Sequence, residues 1–234
     1  MKGFLLEVVF LSAEKKKVDR AVLNAQQEHW ENTFSLKPDM FGEEPSFAAV
    51  RAAEIFSSEG KKKILELGCG QGRDTLYFAS QGFEVCALDY SEAAVKAVEQ
   101  KCRTWDLNSA IKTICHDLKK KLPFQDHFFD GCYSHMLYCM AFTTDELKFL
   151  NGEIRRVLKP GGLNVYTVRH TGDAHYKEGI HRGEDMYEKG GFIVHFFNTE
   201  KIYNLADGFE VIGIEEFEEG GLPRKLFQVF YSKK

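Results

Sequence analysis

The 234-residue sequence predicts an α/β protein built on a doubly wound, mostly parallel β-sheet. Two observations support this prediction. Short apolar runs, typical of buried strands, alternate with segments of helical periodicity between residues 63 and 168, and this alternation is typical of parallel sheets. In addition, a glycine-rich turn follows the first apolar run directly, at the position where a parallel strand leads into a helix.

The amino-terminal part of the chain differs from the rest. Residues 1–43 are predicted to form an N-terminal helical arm, with a mostly polar helix over residues 14–35 that includes Trp30. Residues 44–234 are predicted to form a single domain. Its first helix is expected over residues 46–56, where apolar side chains recur at helical spacing.

The central region contains the alternating elements. Ser91 is placed to cap one helix, and Thr143 with Glu146 forms the capping-box pattern that opens another. The second of these helices should end at the sharp stop formed by Lys159, Pro160 and two glycines,. The predicted strands cover residues 63–68, 83–88, 111–115, 128–133 and 163–168.

The last third of the sequence is less regular. Residues 170–197 show no clear periodicity and are rich in His, Tyr and Gly. We interpret them as a lid segment, because loops held over a rigid scaffold commonly carry substrate contacts. Asn198 should begin a short helix, and two closing strands are expected at residues 209–214 and 226–231.

Composition and charge exclude several classes of protein. Lys and Arg number 31 against 35 Asp and Glu, giving a net charge of −4, so no basic surplus indicates nucleic-acid binding. The six cysteines include no C-x-x-C pair, which favours reduced thiols in a cytoplasmic protein over a zinc ribbon or disulfide framework. The apolar stretch at residues 3–11 is too short to span a membrane and does not resemble a signal peptide, so we expect an N-terminal extension.

The most specific motif is the glycine loop, residues 68–72. Gly68, Gly70 and Gly72 follow the G-x-G-x-G spacing, whereas a dinucleotide-binding turn has G-x-G-x-x-G. Arg73 stands where the third glycine of that pattern would lie. A nicotinamide-dependent oxidoreductase is therefore disfavoured, and it is kept as an alternative. Cys69 is interpreted as a small residue filling the loop, because a buried cysteine behaves as a small hydrophobe.

Two carboxylates follow the next strands. Asp89 ends the second predicted strand, 21 residues after Gly68, where a carboxylate can accept hydrogen bonds from both hydroxyls of a ribose. Asp117 follows the third strand, where its carboxylate could accept from an exocyclic amine while the backbone N–H of Leu118 faces a ring nitrogen. Open α/β sheets bind ligands at these carboxyl ends.

Five segments in this order resemble the motifs of class I S-adenosylmethionine-dependent methyltransferases: ILELGCGQGRD, ALDYS, CHDL, FDGCYSHMLYCM and VLKPGG. The segment GCGQGRDTLYFASQGFEV is most similar to the tellurite-resistance type and its small-molecule relatives. The resemblance covers about residues 44–169. It implies a seven-stranded sheet whose last strand runs antiparallel, and it implies S-adenosylmethionine as the cofactor.

The resemblance also implies roles for individual residues. The glycine loop would lie under the amino-acid end of the cofactor, with Glu66 supporting the loop and Arg73 pairing with the cofactor carboxylate. Tyr90 would lie near the adenine, and Ser134 and His135 beside the methionine moiety. The candidate cofactor-binding residues are Glu66, Gly68, Cys69, Gly70, Gly72, Arg73, Asp89, Tyr90, Ser91, Asp117, Leu118, Ser134 and His135.

The acceptor is less constrained by the sequence. A sulfonium methyl is already activated, so the protein mainly has to align acceptor, methyl carbon and sulfur, and a base is needed only for a protonated acceptor. Tyr138, His170 and His195 are the candidate catalytic residues. The spacing of the lid histidines matches no common metal-binding pattern, so no metal is expected.

The predicted function is methyl transfer to a small-molecule acceptor, of thiol or metalloid type. The alternatives are an S-adenosylmethionine sensor without turnover and, with less support, the oxidoreductase. We expect a cytoplasmic monomer or homodimer that binds neither nucleic acid nor membrane.

Overall fold

A computed structural model describes residues 17–220 and 224–234. The apolar stretch at residues 3–11, the start of the predicted first helix and the middle of the last hairpin turn lie outside these ranges. The helices are α1 (Arg20–Asn24), α2 (Gln26–Leu36), α3 (Phe47–Ser58), α4 (Arg73–Ser80), α5 (Glu92–Thr104), α6 (Thr144–Val157) and α7 (Thr199–Leu205). The strands are β1 (Lys63–Leu67), β2 (Glu84–Asp89), β3 (Ile111–Cys115), β4 (Phe129–Ser134), β5 (Leu158–Arg169), β6 (Ile180–Gly183), β7 (Met186–Lys189), β8 (Phe192–His195), β9 (Phe209–Glu219) and β10 (Arg224–Lys233).

The main sheet has seven strands in the order β3-β2-β1-β4-β5-β10-β9. The strands from β3 to β5 run parallel to their neighbours, whereas β10 pairs antiparallel with both β5 and β9. The order reverses between β1 and β4, which is the topological switch point where open α/β sheets bind ligands. The predicted fold class is therefore confirmed, including the antiparallel strand.

Both faces of the sheet are covered by helices. Successive β1 side chains alternate between two cores, with Leu65 and Leu67 in the core under α6 and α7, and Ile64 in the core under α3, α4 and α5. This alternation follows from the two-residue period of a strand, and burial on both faces explains the continuous apolar runs in the sequence. Glu66 lies on the same face as Ile64 and is also buried.

Capping residues in the sequence correctly predicted where α5 and α6 begin. The Thr143 hydroxyl accepts from the Glu146 N–H at 3.2 Å, while the Glu146 carboxylate accepts from the Thr143 N–H at 2.8 Å, so the predicted capping box is present. Ser91 caps α5 by accepting from the Ala94 N–H at 3.1 Å. In the arm, the predicted single helix is instead divided into α1 and α2 at Ala25.

The lid segment is more regular than the sequence indicated. Residues 180–195 form a separate antiparallel sheet in the order β6-β7-β8. Met186 and Ile193 are buried against Leu23 of the arm and Ala141, so the small sheet is packed between the arm and the main domain. No helix in the described part of the chain is both long and apolar enough to cross a membrane.

Candidate functional site

A cavity of about 750 Å³ opens at the carboxyl ends of the parallel strands. Glu66 on β1, Asp89 on β2, His135 after β4 and Arg169 at the end of β5 line one side. The glycine loop, the arm, the small sheet and the β9–β10 hairpin contribute further parts of the lining. Its size lies within the range typical of small-molecule and cofactor sites, roughly 300–1,000 Å³.

The glycine loop forms a tight connection between β1 and α4. Gly72 has φ 86°, and a Cβ there would lie 2.8 Å from Cγ2 of Val98, so this glycine allows α4 and α5 to approach. Gly70 has φ 51° and faces the cavity, where a Cβ would lie 3.5 Å from Cζ of Phe34. Gly68 and Cys69 also line the cavity, and burial raises the pKa of the Cys69 thiol well above its usual range. A protonated buried thiol fits the interpretation of Cys69 as a filler residue.

Asp89 connects the glycine loop to the turn after β2. One carboxylate oxygen accepts from the Gly70 N–H at 2.9 Å, and the other accepts from the Ser91 N–H at 2.9 Å. Burial raises the pKa of Asp89, and the backbone N–H groups oppose that effect. Because a carboxylate oxygen can accept more than one hydrogen bond, both oxygens retain capacity for a ligand hydroxyl.

Glu66 lies beneath the glycine loop and is only 3% exposed. Burial, followed by the negative charge of Asp74, raises the pKa of Glu66 to about 8. Its Oε2 atom has no hydrogen-bond partner among the described residues. An unpaired buried acid at a cavity favours a ligand that supplies a hydrogen-bond donor or a positive charge.

The predicted adenine-contacting residues are only partly at the cavity. Tyr90 and Leu118 line it. Asp117 does not belong to the lining, and its carboxylate accepts from the Lys119 N–H at 3.0 Å and lies 3.6 Å from Lys120 Nζ. Ser91 likewise caps α5 and donates to the Glu31 carboxylate at 2.5 Å. Both side chains thus make hydrogen bonds within the surrounding turns and lie outside the described lining of the cavity.

On the predicted methionine side, His135 reaches the cavity while Ser134 is fully buried behind it. His135 Nε2 lies 3.0 Å from Glu219 Oε2, and His135 Nδ1 lies 3.0 Å from Thr167 Oγ1. Nδ1 is therefore hydrogen-bonded, whereas Nε2 lies close to a carboxylate oxygen that has no hydrogen-bond partner among the described residues.

Arg73 lines the cavity and is held within the protein. Arg73 Nε donates to Asp74 Oδ1 at 3.0 Å, and Nη1 lies 4.0 Å from Glu219 Oε1. A ligand carboxylate would therefore meet a guanidinium that two protein carboxylates already share.

The structure places Tyr138, His170 and His195, the candidate catalytic residues, outside the lining of this cavity. The fully buried Tyr138 hydroxyl donates to Asn151, accepts from Asn164 at 3.1 Å, and its ring stacks on Tyr166. His170 accepts from the Gly172 N–H at 2.9 Å and stacks on Phe227. These polar groups are satisfied inside the protein.

His195 is also a core residue. Its Nδ1 lies 2.8 Å from the Phe142 carbonyl oxygen, and its Nε2 lies 2.6 Å from Lys201 Nζ. Burial and the positive charge of Lys201 lower the pKa of His195 to about 3. The ring is therefore neutral, with Nδ1–H donating to the carbonyl and Nε2 accepting from the ammonium.

Sequence reasoning missed Gln71 as the residue that fixes the arm to the glycine loop. Its amide nitrogen donates to the carbonyl oxygens of Phe34 and Lys37, at 3.3 and 2.8 Å, and its amide oxygen accepts from the Met40 N–H at 2.8 Å. Trp30, Phe34 and Phe41 consequently line the cavity. The G-x-G-x-G pattern gives no information about the variable position that Gln71 occupies.

The arm also holds the small sheet over the cavity. Gln26 donates to the Gly191 carbonyl oxygen at 2.9 Å and accepts from the Ile193 N–H at 3.2 Å. The Trp30 and Phe192 rings lie 4.9 Å apart. Eight residues of the segment 170–197 line the cavity: His175, Glu178, Tyr187, Lys189, Gly190, Phe192, Val194 and Phe196. That residues 170–197 act as a lid remains a prediction; the structure shows that they contribute both aromatic and charged side chains to the cavity.

Comparison with known proteins gives the same assignment as the motifs. A family described as "Methyltransferase domain" matches residues 64–162. A 24-methylenesterol C-methyltransferase 2 from Oryza sativa subsp. japonica is 28% identical over 192 residues, covering 78% of this chain and 52% of the relative. The probable S-adenosyl-L-methionine-dependent methyltransferase TehB from Haemophilus influenzae is 32% identical over 87 residues, covering 35% of this chain and 29% of the relative.

The chain spans about half the length of the first of these relatives. Among solved structures, the 1,6-didemethyltoxoflavin-N1-methyltransferase of Burkholderia thailandensis, with bound 1,6-didemethyltoxoflavin and S-adenosylhomocysteine, superimposes with a TM-score of 0.74. That alignment covers 96% of this chain and 98% of the other, at 16% identity, and shows a shared fold. The sheet order and the glycine loop agree with the match of residues 64–162 to a methyltransferase domain.

Proposed function

We propose that this protein transfers the methyl group of S-adenosylmethionine to a small-molecule acceptor. One observation carries the proposal: a single cavity joins the glycine loop, Asp89 and Leu118 to a second space under the small sheet. The first part suits a nucleoside with an amino-acid tail, and the second offers room for an acceptor. When bound, the donor supplies the activated methyl group.

Asp89 would hold the ribose hydroxyls, because it is the buried carboxylate at the end of β2. Leu118 and Tyr90 would flank the adenine. Glu66 would face the cationic amino-acid end of the donor, since its unpaired Oε2 lies under the glycine loop. Gly70 leaves this space open by lacking a side chain.

The acceptor would lie under the small sheet, and we propose that its reacting atom is a thiolate or a metalloid centre. The two histidines at the cavity support this choice. His135 Nδ1 is hydrogen-bonded to Thr167, and its Nε2 lies 3.0 Å from the Glu219 carboxylate. His175 Nδ1 accepts from the Arg169 guanidinium at 3.1 Å, which places the His175 proton on Nε2,. Neither ring offers a free basic nitrogen, so an acceptor that reacts without losing a proton fits best.

Isothermal titration calorimetry with S-adenosylmethionine, S-adenosylhomocysteine and NAD tests the donor site. We expect binding of the first two, and Asp89→Asn should weaken S-adenosylmethionine by roughly 1–3 kcal/mol through lost hydrogen bonds. Asp130→Asn is the matched control, because Asp130 also accepts from two backbone N–H groups, at 2.9 and 3.1 Å, but lies at the opposite end of the sheet. Binding of NAD alone, or equal effects of the two substitutions, would contradict the proposal.

Turnover is tested separately by measuring S-adenosylhomocysteine formation with a panel of small thiols and selenols. Acceptor-dependent product supports the enzyme, and donor binding without product from any acceptor class supports the sensor alternative.

A further inference from the structure

The part of the cavity under the small sheet contains a cluster of positive groups. Arg169 at the end of β5, Arg224 at the start of β10 and Lys189 at the end of β7 all line it, together with His175. Burial lowers the pKa of His175, and the positive charges of Arg169, Lys189 and Arg224 lower it further. These three cations come from three separate strands and line the same cavity as the His175 ring.

Arg169 is the fixed element of this cluster, since its side chain is only 7% exposed. Its Nε donates to Asp173 at 3.1 Å, and its Nη2 donates to Asp173 at 2.5 Å and to His175 Nδ1 at 3.1 Å. The guanidinium carbon also lies 5.3 Å from the centre of the Phe196 ring. The structure gives Nη1 no partner among the described residues, so this donor remains available at the cavity.

The acidic groups nearby do not cancel the cluster. Asp173 is not part of the lining, and besides Arg169 it accepts from the backbone N–H groups of His175 and Lys225, at 2.8 and 2.9 Å. Glu219 is shared between His135 and Arg73. Glu178 is the remaining carboxylate of this region in the described lining, and it is exposed.

We propose that this cluster is a binding subsite for a carboxylate, so that the acceptor is a small molecule with a carboxylate group apart from its reacting atom. The inference rests on the proposed function, because it assigns the orientation of the acceptor in the same cavity. Arg169 Nη1, the His175 Nε2–H and Arg224 are the donors. A preorganised guanidinium suits an oxyanion, because charge-assisted hydrogen bonds are about twice as strong as neutral ones.

The test uses benzoate as the probe and benzamide as an uncharged analogue of the same shape. Each is titrated by calorimetry into the full-length protein, both alone and saturated with S-adenosylhomocysteine. We expect benzoate to bind one site at least about tenfold more tightly than benzamide. Arg224→Gln and Arg169→Lys should each weaken benzoate about five- to tenfold, while S-adenosylhomocysteine affinity stays unchanged. Arg103→Gln, which removes an exposed arginine of α5 outside the cavity, should have no effect.

Arg224→Gln is the decisive variant, because Arg224 is exposed and its loss does not leave Asp173 buried without a partner. The carboxylate subsite is refuted if benzoate fails to bind the S-adenosylhomocysteine complex, if benzamide binds equally well, or if Arg224→Gln leaves benzoate affinity intact. Failure of S-adenosylhomocysteine to bind would instead refute the donor site and with it the proposed function.

Discussion

Replacing Glu66 with Gln should stabilise the unliganded protein at alkaline pH. Glu66 is 3% exposed, and burial together with the charge of Asp74 raises its pKa from 4.5 to about 8. Between these two values the folded protein holds a proton that the unfolded chain has released, so stability falls as pH rises. The pKa difference between the folded and unfolded states corresponds to roughly 5 kcal/mol of folding stability. This stabilisation is present at pH 4.5 and is lost by about pH 8.

The assay is urea unfolding of wild-type and Glu66→Gln proteins at pH 5 and pH 9. The glutamine side chain has a similar shape and does not titrate, so its advantage over wild type should grow by on the order of 4 kcal/mol between these pH values. Glu210→Gln on β9, an exposed carboxylate, serves as the control and should show no such growth. Saturating S-adenosylmethionine should reduce the advantage, because a nearby positive charge favours the ionised acid.

An advantage of Glu66→Gln that is equal at pH 5 and pH 9 would refute this reasoning. It would mean that Glu66 is ionised in the folded protein, so that some group already compensates its charge.

Three further predictions follow from the structure. Gly70→Ala and Gly82→Ala both force alanine to positive φ, at 51° and 86°. Urea unfolding should therefore show that each variant loses roughly 1–2 kcal/mol of folding stability. Calorimetry should show weakened S-adenosylmethionine binding only for Gly70→Ala. Tyr138→Phe should cost about 1–3 kcal/mol of stability, because Asn151 and Asn164 lose their hydrogen bonds to the hydroxyl,. A loss of turnover per folded molecule would contradict the assignment of Tyr138 to the core. Gln26→Ala should speed hydrogen exchange of the Ile193 amide about tenfold or more without a matching loss of global stability,. Unchanged exchange would show that the arm does not hold the small sheet.

The sequence located the glycine loop and Asp89 at the carboxyl ends of neighbouring strands, because local chemistry determines both positions. A strand, a turn requiring positive φ and a helix must follow one another in the chain, so the glycine loop is visible without tertiary information. Asp89 could be located because the loop and the end of the next strand are separated by one helix of ordinary length. The alternating apolar runs likewise predicted the parallel sheet.

The acceptor side could not be predicted in the same way. Whether a histidine or tyrosine faces a cavity depends on partners distant in the chain, such as Lys201 for His195 and Asn151 for Tyr138. The four-residue strands of the small sheet are too short for a clear two-residue period, and they are stabilised by packing against Leu23 of the arm. In the sequence, Arg169 looks like any charged residue at the end of a strand. The contacts of its guanidinium with Asp173 and Phe196 appear only in the structure.

The attachment of α2 at both ends has a consequence for the timing of the reaction. Through Gln71 the arm is tied to the floor of the cavity, and through Gln26 to its roof. Any motion that separates the small sheet from the glycine loop must therefore break one of these sets of hydrogen bonds, and motions of this kind limit the turnover of many enzymes. The same attachment holds Trp30 and Phe34 at the cavity wall, where apolar rings limit the access of bulk water,.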